Sequence, residues 1–154
     1  MLIRRMNPAD LPAVMELDQL SFSQPWPPAA FEKELVNLTS RCWVAEVDGC
    51  VAGALVIWRV LDEAHIATIA THPDFRRQGI GRALLKTGME AAYTEGARIY
   101  HLEGRAGNAG VDIQDLSACL DLVFRGPANH IEIAFLQGFQ QQLTPGGVDA
   151  FSDD

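Results

Sequence analysis

A short segment between a strand-forming run and a helix-forming run constrains the fold of this chain most. It reads Arg76-Arg77-Gln78-Gly79-Ile80-Gly81-Arg82 and leads into a long run of helix formers. Glycine lets a backbone approach a ligand closely, and the amides at a helix start point together where the helix dipole favours negative charge. The arginines add charge-assisted donors. The segment predicts a phosphate cradle, with a tight turn on a solvated surface as the alternative.

The remaining patterns give an order of strand, two helices, three strands, helix, strand and a final helix. The segment 131–136 alternates partly like a strand and is expected to pair with the last strand and to close the sheet. Asn7, Pro8 and Asp10 form a helix start, and Asp48-Gly49 is the pair favoured in a two-residue type I′ hairpin. We predict strands at about 2–6, 42–47, 50–60, 63–71 and 98–105, and helices at about 8–20, 29–36 and 79–95. This order predicts an α/β (α+β) fold, in which a mixed sheet is covered by helices on both faces.

Three details of these elements can be checked in the structure. The hairpin turn places Val47 opposite Cys50 and Cys42 opposite Leu55, and Gly53 suggests a bulge. The helix from Gly79 ends before Gly96 and is expected to bury one face. The residues of that predicted face are Ile80, Ala83, Leu84, Thr87 and Ala91.

Length and charge exclude several classes of protein. A chain of 154 residues is most simply one domain, and its net charge of -8 argues against nucleic-acid binding. Cys42, Cys50 and Cys119 show no spacing typical of a disulfide framework or of zinc, so we expect no metal and a reducing cytoplasm. The longest apolar run, 51–58, is too short to span a bilayer, so we expect neither export nor a membrane anchor.

The region around the cradle resembles a known family. Residues 66–85, Ile66-Ala67-Thr68-Ile69-Ala70-Thr71-His72-Pro73-Asp74-Phe75-Arg76-Arg77-Gln78-Gly79-Ile80-Gly81-Arg82-Ala83-Leu84-Leu85, resemble the GNAT N-acetyltransferases, particularly the RimI-type ribosomal-protein-alanine N-acetyltransferases. Leu61-Asp62-Glu63-Ala64 and Leu102-Glu103-Gly104-Arg105 support the likeness, which covers about residues 2–108. The resemblance implies the GNAT fold with a mostly antiparallel sheet, and one domain over 1–136 followed by a polar tail, 137–154.

The resemblance also implies that acetyl-CoA is the co-substrate. Pantetheine would lie along the end of the strand 63–71 as an added strand, and the pyrophosphate would sit on the cradle amides. Asn108 matches a position whose side chain contacts the cofactor in the family. The implied cofactor-binding residues are Ile69, Ala70, Thr71, Arg76, Arg77, Gln78, Gly79, Ile80, Gly81, Arg82 and Asn108.

For catalysis, the resemblance implies direct attack of an amine on the thioester. Glu103 matches the family's general base, and strand alternation places it on the face of His101 and Arg105. A simple ion pair with Arg105 is the alternative role for Glu103, and His101 is either structural or an assistant. In this family a tyrosine protonates the departing thiolate, but here Cys119 stands in its place, either as a donor or as a small apolar residue.

The acceptor remains open at the level of sequence. The resemblance implies a protein or peptide N-terminal α-amine, with a ribosomal protein as one candidate. Pro25 and Trp26 are candidate substrate contacts, although a hydrophobic plug is the alternative role of Trp26. A cofactor-binding protein with little turnover and a small-molecule amine acetyltransferase are the other hypotheses. We expect a cytoplasmic monomer or weak dimer with no nucleic-acid or membrane partner.

Overall fold

The computed structural model describes residues 1–22, 24–104, 130–135, 139–144 and 147–150. Short 3-10 turns at Pro8–Asp10 and Pro73–Phe75 precede the first and third helices. The helices are α1 (Leu11–Ser21), α2 (Pro28–Val36) and α3 (Ile80–Thr94). The strands are β1 (Leu2–Arg5), β2 (Ser40–Val47), β3 (Cys50–Val60), β4 (Glu63–Thr71), β5 (Ile99–Gly104), β6 (His130–Phe135), β7 (Phe139–Thr144) and β8 (Gly147–Ala150).

These strands form one sheet whose spatial order follows the chain from β1 to β8. The pairs β4–β5 and β5–β6 are parallel, and the other pairs are antiparallel, which confirms a mixed, mostly antiparallel sheet. The predicted pairing of the segment 131–136 with β5 is confirmed by β6, but the expectation that it closes the sheet is wrong, because β7 and β8 follow it. The predicted final helix lies outside the described residues. Strands β7 and β8 extend the sheet into the expected polar tail, because ladder hydrogen bonds come from the backbone and need no apolar side chain.

The β2–β3 hairpin confirms the predicted turn and corrects its register. Asp48 and Gly49 both have positive φ, and Val47 pairs with Cys50. Ala45 then pairs with Gly53 while Glu46 pairs with Val51, so Ala52 is the extra residue of a bulge beside Gly53. Cys42 consequently lies opposite Val56 and not opposite Leu55.

Helices cover both faces of the sheet, as the sequence predicts. Helices α1 and α2 pack Val14, Leu17 and Phe31 against Val44 and Val56 on one face. On the other face, α3 packs against alternate residues of β3, including Leu55 and Ile57. The apolar side chains of β3 are therefore buried on both sides, which suits a central strand. Among the described residues, no helix combines the length and apolar character that a bilayer span requires.

The start of the first helical segment is held by polar contacts that the sequence anticipates. The Asn7 side chain accepts a hydrogen bond from the Ala9 amide at 2.9 Å, and the Asp10 carboxylate accepts one from the Asn7 amide at 2.9 Å. Asp10 also accepts two hydrogen bonds from the Arg4 guanidinium, each at 2.8 Å. This pairing lowers the pKa of Asp10 and ties β1 to the helix start.

The buried stripe of α3 differs by about one position from the predicted one. Ile80 and Leu84 are buried as expected, whereas Ala83, Thr87 and Ala91 are only half-buried. The helix rests on its glycines instead, because a Cβ on Gly88 would lie 2.6 Å from Leu55 Cδ2. Small residues carry no apolar signal in a sequence pattern, so periodicity does not detect this close approach. The fully buried residues of the helix are Ile80, Gly81, Leu84, Leu85, Gly88, Met89 and Ala92.

We predict that Gly88→Val lowers the free energy of unfolding by about 1–3 kcal/mol, the cost of overpacking a filled core. Leu55 and Ile57 must move, since the new Cβ would lie within 2.7 Å of Ile57 Cδ1. Urea denaturation measures the effect. Lys86→Val, on the exposed side of the same helix, is the control and should change stability by no more than about 0.5 kcal/mol. Equal stability of Gly88→Val and the wild type would contradict the close packing of α3.

Candidate active site

The candidate active site begins where β4 and β5 separate. Their ladder runs from the pair Glu63 and Ile99 to the pair Ile66 and Leu102. At this point Ala67 forms a bulge on β4, since Val56 pairs with Thr68 while Ile57 pairs with Ile66. A bulge bends its strand and increases the local twist. Beyond it, within the described part of the chain, β4 continues its ladder only with β3, so a gap opens between the carboxyl ends of β4 and β5.

The end of β4 is buried and leads directly into the predicted cradle. Ile69, Ala70 and Thr71 are each at most 4% exposed. The His72 amide donates to the carbonyl of the bulge residue Ala52 at 2.8 Å, and Arg76 Nε donates to the Thr71 carbonyl at 3.3 Å. The bulge in β3 therefore helps to fix the point at which the chain leaves the sheet.

The cradle has a backbone suited to an anion. Arg77 and Gly79 have left-handed φ values of 64° and 77°, and α3 begins at the next residue, Ile80. Left-handed residues beside right-handed ones turn successive N–H groups toward one concavity, which binds anions. Because Gly79 occupies the N-cap position, no side chain caps the first turn of α3.

The side chains of the cradle divide between the surface and the core. Arg77, Gln78, Gly79 and Arg82 are exposed, and Arg76 is half-buried. Ile80 and Gly81, the first two residues of α3, are buried. The Ile80 side chain is part of the core between α3 and the sheet. These last two predicted cofactor residues can therefore serve a ligand only through their backbone.

Glu103 lies in β5 directly after Leu102, the last residue paired with β4, and it pairs with Ala134 of β6. Its backbone is therefore at the start of the gap, beside the carboxyl half of β4. The Glu103 side chain lies outside the described part of the structure, as do all atoms of Asn108 and Cys119. Their predicted roles remain predictions.

Neither tyrosine of the chain lies at the cradle. The chain has 2 tyrosines. Tyr100 is buried, which raises the pKa of its phenol, and its hydroxyl donates to the Met89 carbonyl at 3.1 Å. Tyr93 lies in the last turn of the 15-residue helix α3, whose length of about 20 Å separates it from the cradle. Tyr100 instead fastens α3 to β5.

Trp26, a candidate substrate contact, sits on the face covered by α1 and α2. Its amide donates to Asp18 Oδ2 at 2.7 Å, and its ring contacts Phe31 at a centroid distance of 5.1 Å. It also stacks on Trp58 at 6.4 Å and 13°. Trp26 is half-buried and packs on the core, whereas Pro25 is exposed. This packing fits the role of a hydrophobic plug, and the role of Pro25 and Trp26 as substrate contacts stays a prediction.

A row of ring side chains that sequence reasoning missed crosses the same face. Trp58 pairs with His65 of β4, and His65 pairs with His101 of β5. The two imidazoles stack at a centroid distance of 4.3 Å and an interplanar angle of 19°, with Glu63 beside them. The spacing of Glu63 and His65 in one strand was visible in the sequence. The parallel register that adds His101 was not.

Comparison with known proteins decides the family. Residues 11–111 match the family model described as the acetyltransferase (GNAT) family. The chain belongs to the GNAT acetyltransferases. The match spans both the end of β4 and the cradle, so the resemblance found in the sequence is confirmed.

Relatives and solved structures agree with this family. An Escherichia coli K12 [ribosomal protein bS18]-alanine N-acetyltransferase is 33% identical over 107 residues, which cover 70% of this chain and 72% of the relative. A Bacillus subtilis protein, to which the same activity is provisionally assigned, is 36% identical over 69% of this chain and 71% of its own. The crystal structure of the Escherichia coli ribosomal-protein-S18-alanine N-acetyltransferase has a TM-score of 0.64 at 32% identity, covering 70% of this chain and 69% of that one. The GNAT fold and an acetyl-CoA-dependent acetyltransferase class are thereby established for this chain.

The strained backbone of Arg77 gives a direct test of the cradle geometry. Arg77→Gly and Arg77→Ala remove the same charge, but only alanine keeps a Cβ at φ 64°. A left-handed non-glycine residue costs about 1–2 kcal/mol, partly offset by the larger chain entropy of glycine. We predict that Arg77→Gly is about 1 kcal/mol more stable than Arg77→Ala in urea denaturation. A less stable glycine variant would contradict the left-handed conformation.

Proposed function

We propose that this GNAT enzyme acetylates the α-amine of a protein N-terminus, and that a ribosomal-protein alanine is the first acceptor to test. The observation that carries the proposal is the gap between β4 and β5, which begins at Ala67 and Glu103 next to the cradle. Two relatives of at least 33% identity that carry the alanine N-acetyltransferase name support the choice of acceptor.

Each part of acetyl-CoA has a chemical partner in this proposal. The pantetheine amides extend the sheet along β4 where its ladder with β5 has ended, as in β-augmentation. The pyrophosphate lies on the amides around Arg77 and Gly79, with the exposed arginines as charged donors. The thioester is thereby brought to the gap, close to the backbone of Glu103.

The reaction is a direct transfer. The free amine attacks the thioester carbonyl, the tetrahedral intermediate collapses, and the C–S bond breaks to release the CoA thiolate while one proton leaves the nitrogen. A protein α-amine has a pKa of roughly 7.7–8.0, so Glu103 can accept that proton directly or through one water. Holding the two reactants together supplies a large part of the rate.

Departure of the thiolate proceeds without a tyrosine in this chain. A thiol with a pKa near the value of about 8.5 for free cysteine leaves readily as its anion, so loss of the acid slows the reaction without abolishing it. The absence of the family's tyrosine, whose place Cys119 takes in the sequence, also favours a second candidate function. In that case the chain would be a GNAT-fold protein that binds acyl-CoA with little turnover. The two candidates share the cradle and differ in the chemical step.

Arg77 is expected to contribute directly to cofactor binding. Arg77→Ala should weaken acetyl-CoA binding about tenfold in calorimetry, since a charge-assisted hydrogen bond contributes about 1.5–3 kcal/mol. Lys86→Ala removes an exposed cation further along α3 and should bind as the wild type does. Absence of binding by the wild type would overturn the cofactor site, and equal affinity of both variants would exclude Arg77 from it.

The second prediction concerns Glu103. Glu103→Gln should lower the rate of acetylation of an alanine-initiated peptide about 10²–10⁴-fold, because it removes the general base. Its affinity for acetyl-CoA should be unchanged. Mass spectrometry of the peptide measures transfer, and Glu90→Gln, on the exposed side of α3, is the carboxylate control.

The outcomes separate the candidate functions. Transfer by the wild type that Glu103→Gln retains in full would exclude Glu103 as the base. Cofactor binding by the wild type without transfer to any N-terminal peptide would instead favour the protein with little turnover. A parallel panel of polyamines and aminoglycosides detects acetylation of small amines.

A further inference from the structure

Three potential metal ligands converge on the face of the sheet opposite α3. Glu63 and His65 are two residues apart in β4, so their side chains leave the same face, and His101 is the register partner of His65 in β5. Glu63 Oε1 lies 3.5 Å from His101 Nε2, and Glu63 Oε2 lies 3.8 Å from His65 Nε2. One ligand atom from each residue lies within 4.8 Å of the other two.

These separations are close to those of a tetrahedral metal site. Zinc binds imidazole nitrogen and carboxylate oxygen at about 2.0–2.2 Å, which puts neighbouring ligand atoms about 3.3–3.5 Å apart in a tetrahedron. The distances of 3.5 and 3.8 Å are near that range, and they involve different oxygens of the Glu63 carboxylate, Oε1 for His101 and Oε2 for His65. The carboxylate and the stacked imidazoles must rotate before one oxygen and both ring nitrogens face a single ion, and the partial exposure of these side chains leaves room for the rotation.

A simple ion pair explains the cluster less well. A salt bridge between a partly exposed carboxylate and a histidine stabilises a protein only weakly. Here the single carboxylate of Glu63 faces two imidazoles from neighbouring strands, at 3.5 and 3.8 Å. A divalent ion gives all three side chains one shared partner. Two imidazoles with one carboxylate suit zinc and similar transition metals, whereas magnesium and calcium prefer oxygen ligands.

We infer that Glu63, His65 and His101 bind one divalent transition-metal ion of the zinc class, with the fourth position open to water. The site is distinct from the phosphate cradle and does not depend on the proposed acceptor. Such a site would run against the expectation of no metal, which was drawn from cysteine spacing, because no cysteine takes part in it. Since its ligands come from both β4 and β5, the ion joins the two strands immediately before they separate.

The first experiment measures binding to the full chain without an affinity tag. Equilibrium dialysis with Zn²⁺ should give one ion per chain, and Mg²⁺ should give none. Co²⁺ should produce the strong visible absorption of four-coordinate cobalt without a thiolate charge-transfer band. Zn²⁺ should also raise the thermal midpoint, since an ion that binds only the folded state stabilises it. Absence of bound Zn²⁺, or a cobalt spectrum with thiolate bands, would overturn the inference.

The second experiment assigns the ligands. Each ligand should matter for Zn²⁺ affinity. Loss of a residue that only supports a metal ligand weakens binding about 10–100-fold. We expect at least this loss for each of the variants Glu63→Gln, His65→Gln and His101→Gln. His72→Gln is the matched control, since His72 also faces a carboxylate, Asp74, at 3.8 Å but has no third ligand among the residues that the structure describes. It should bind as the wild type does. Circular dichroism with a chelator verifies folding, and unchanged binding by folded His65→Gln and His101→Gln would exclude the site.

Discussion

The separation of β4 from β5 is the constraint on which the candidate site depends. A strand in the middle of a sheet normally satisfies its amides and carbonyls on both sides. Here the ladder between β4 and β5 ends at Ile66 and Leu102, and the bulge at Ala67 turns the remainder of β4 away. The backbone edge that results is suited to a ligand that can act as a strand. Acetyl-CoA, with its chain of amides, has that property.

The position of α3 places the cradle beside this backbone edge. The helix packs closely on β3 because Gly53 and Gly88 leave room for it, and the Tyr100 hydroxyl fastens its middle to β5 through the Met89 carbonyl. Its uncapped first turn is thereby held beside the end of β4. The proposed phosphate binding and strand pairing would thus use two elements whose relative placement is fixed by packing.

The opposite face carries groups of a different chemistry. Trp26 and Trp58 stack near the loop between α1 and α2, and His65 and His101 continue the row across β4 and β5. Both histidines come just before the gap, so a metal ion on them and a cofactor in the gap would meet on the same two strands. The cradle depends on the local backbone conformation after β4, whereas this row depends on the register in which β3, β4 and β5 pair.

The sequence by itself determined the elements, the hairpin turn, the cradle and the family, because these depend on local signals such as Asp48-Gly49 and the glycines after Arg77. It missed the strands at 139–144 and 147–150, whose polar side chains give no periodic signal. The sequence pattern also predicted the wrong buried face for α3 and the wrong partner for Cys42. The close glycine contact of α3 and the bulge at Ala52, which cause these differences, leave no apolar pattern in the sequence. Only the tertiary structure decided that Tyr100 is fastened in the core and that His101 stands beside His65. Both facts arise from pairing between residues far apart in the chain, which no local pattern specifies.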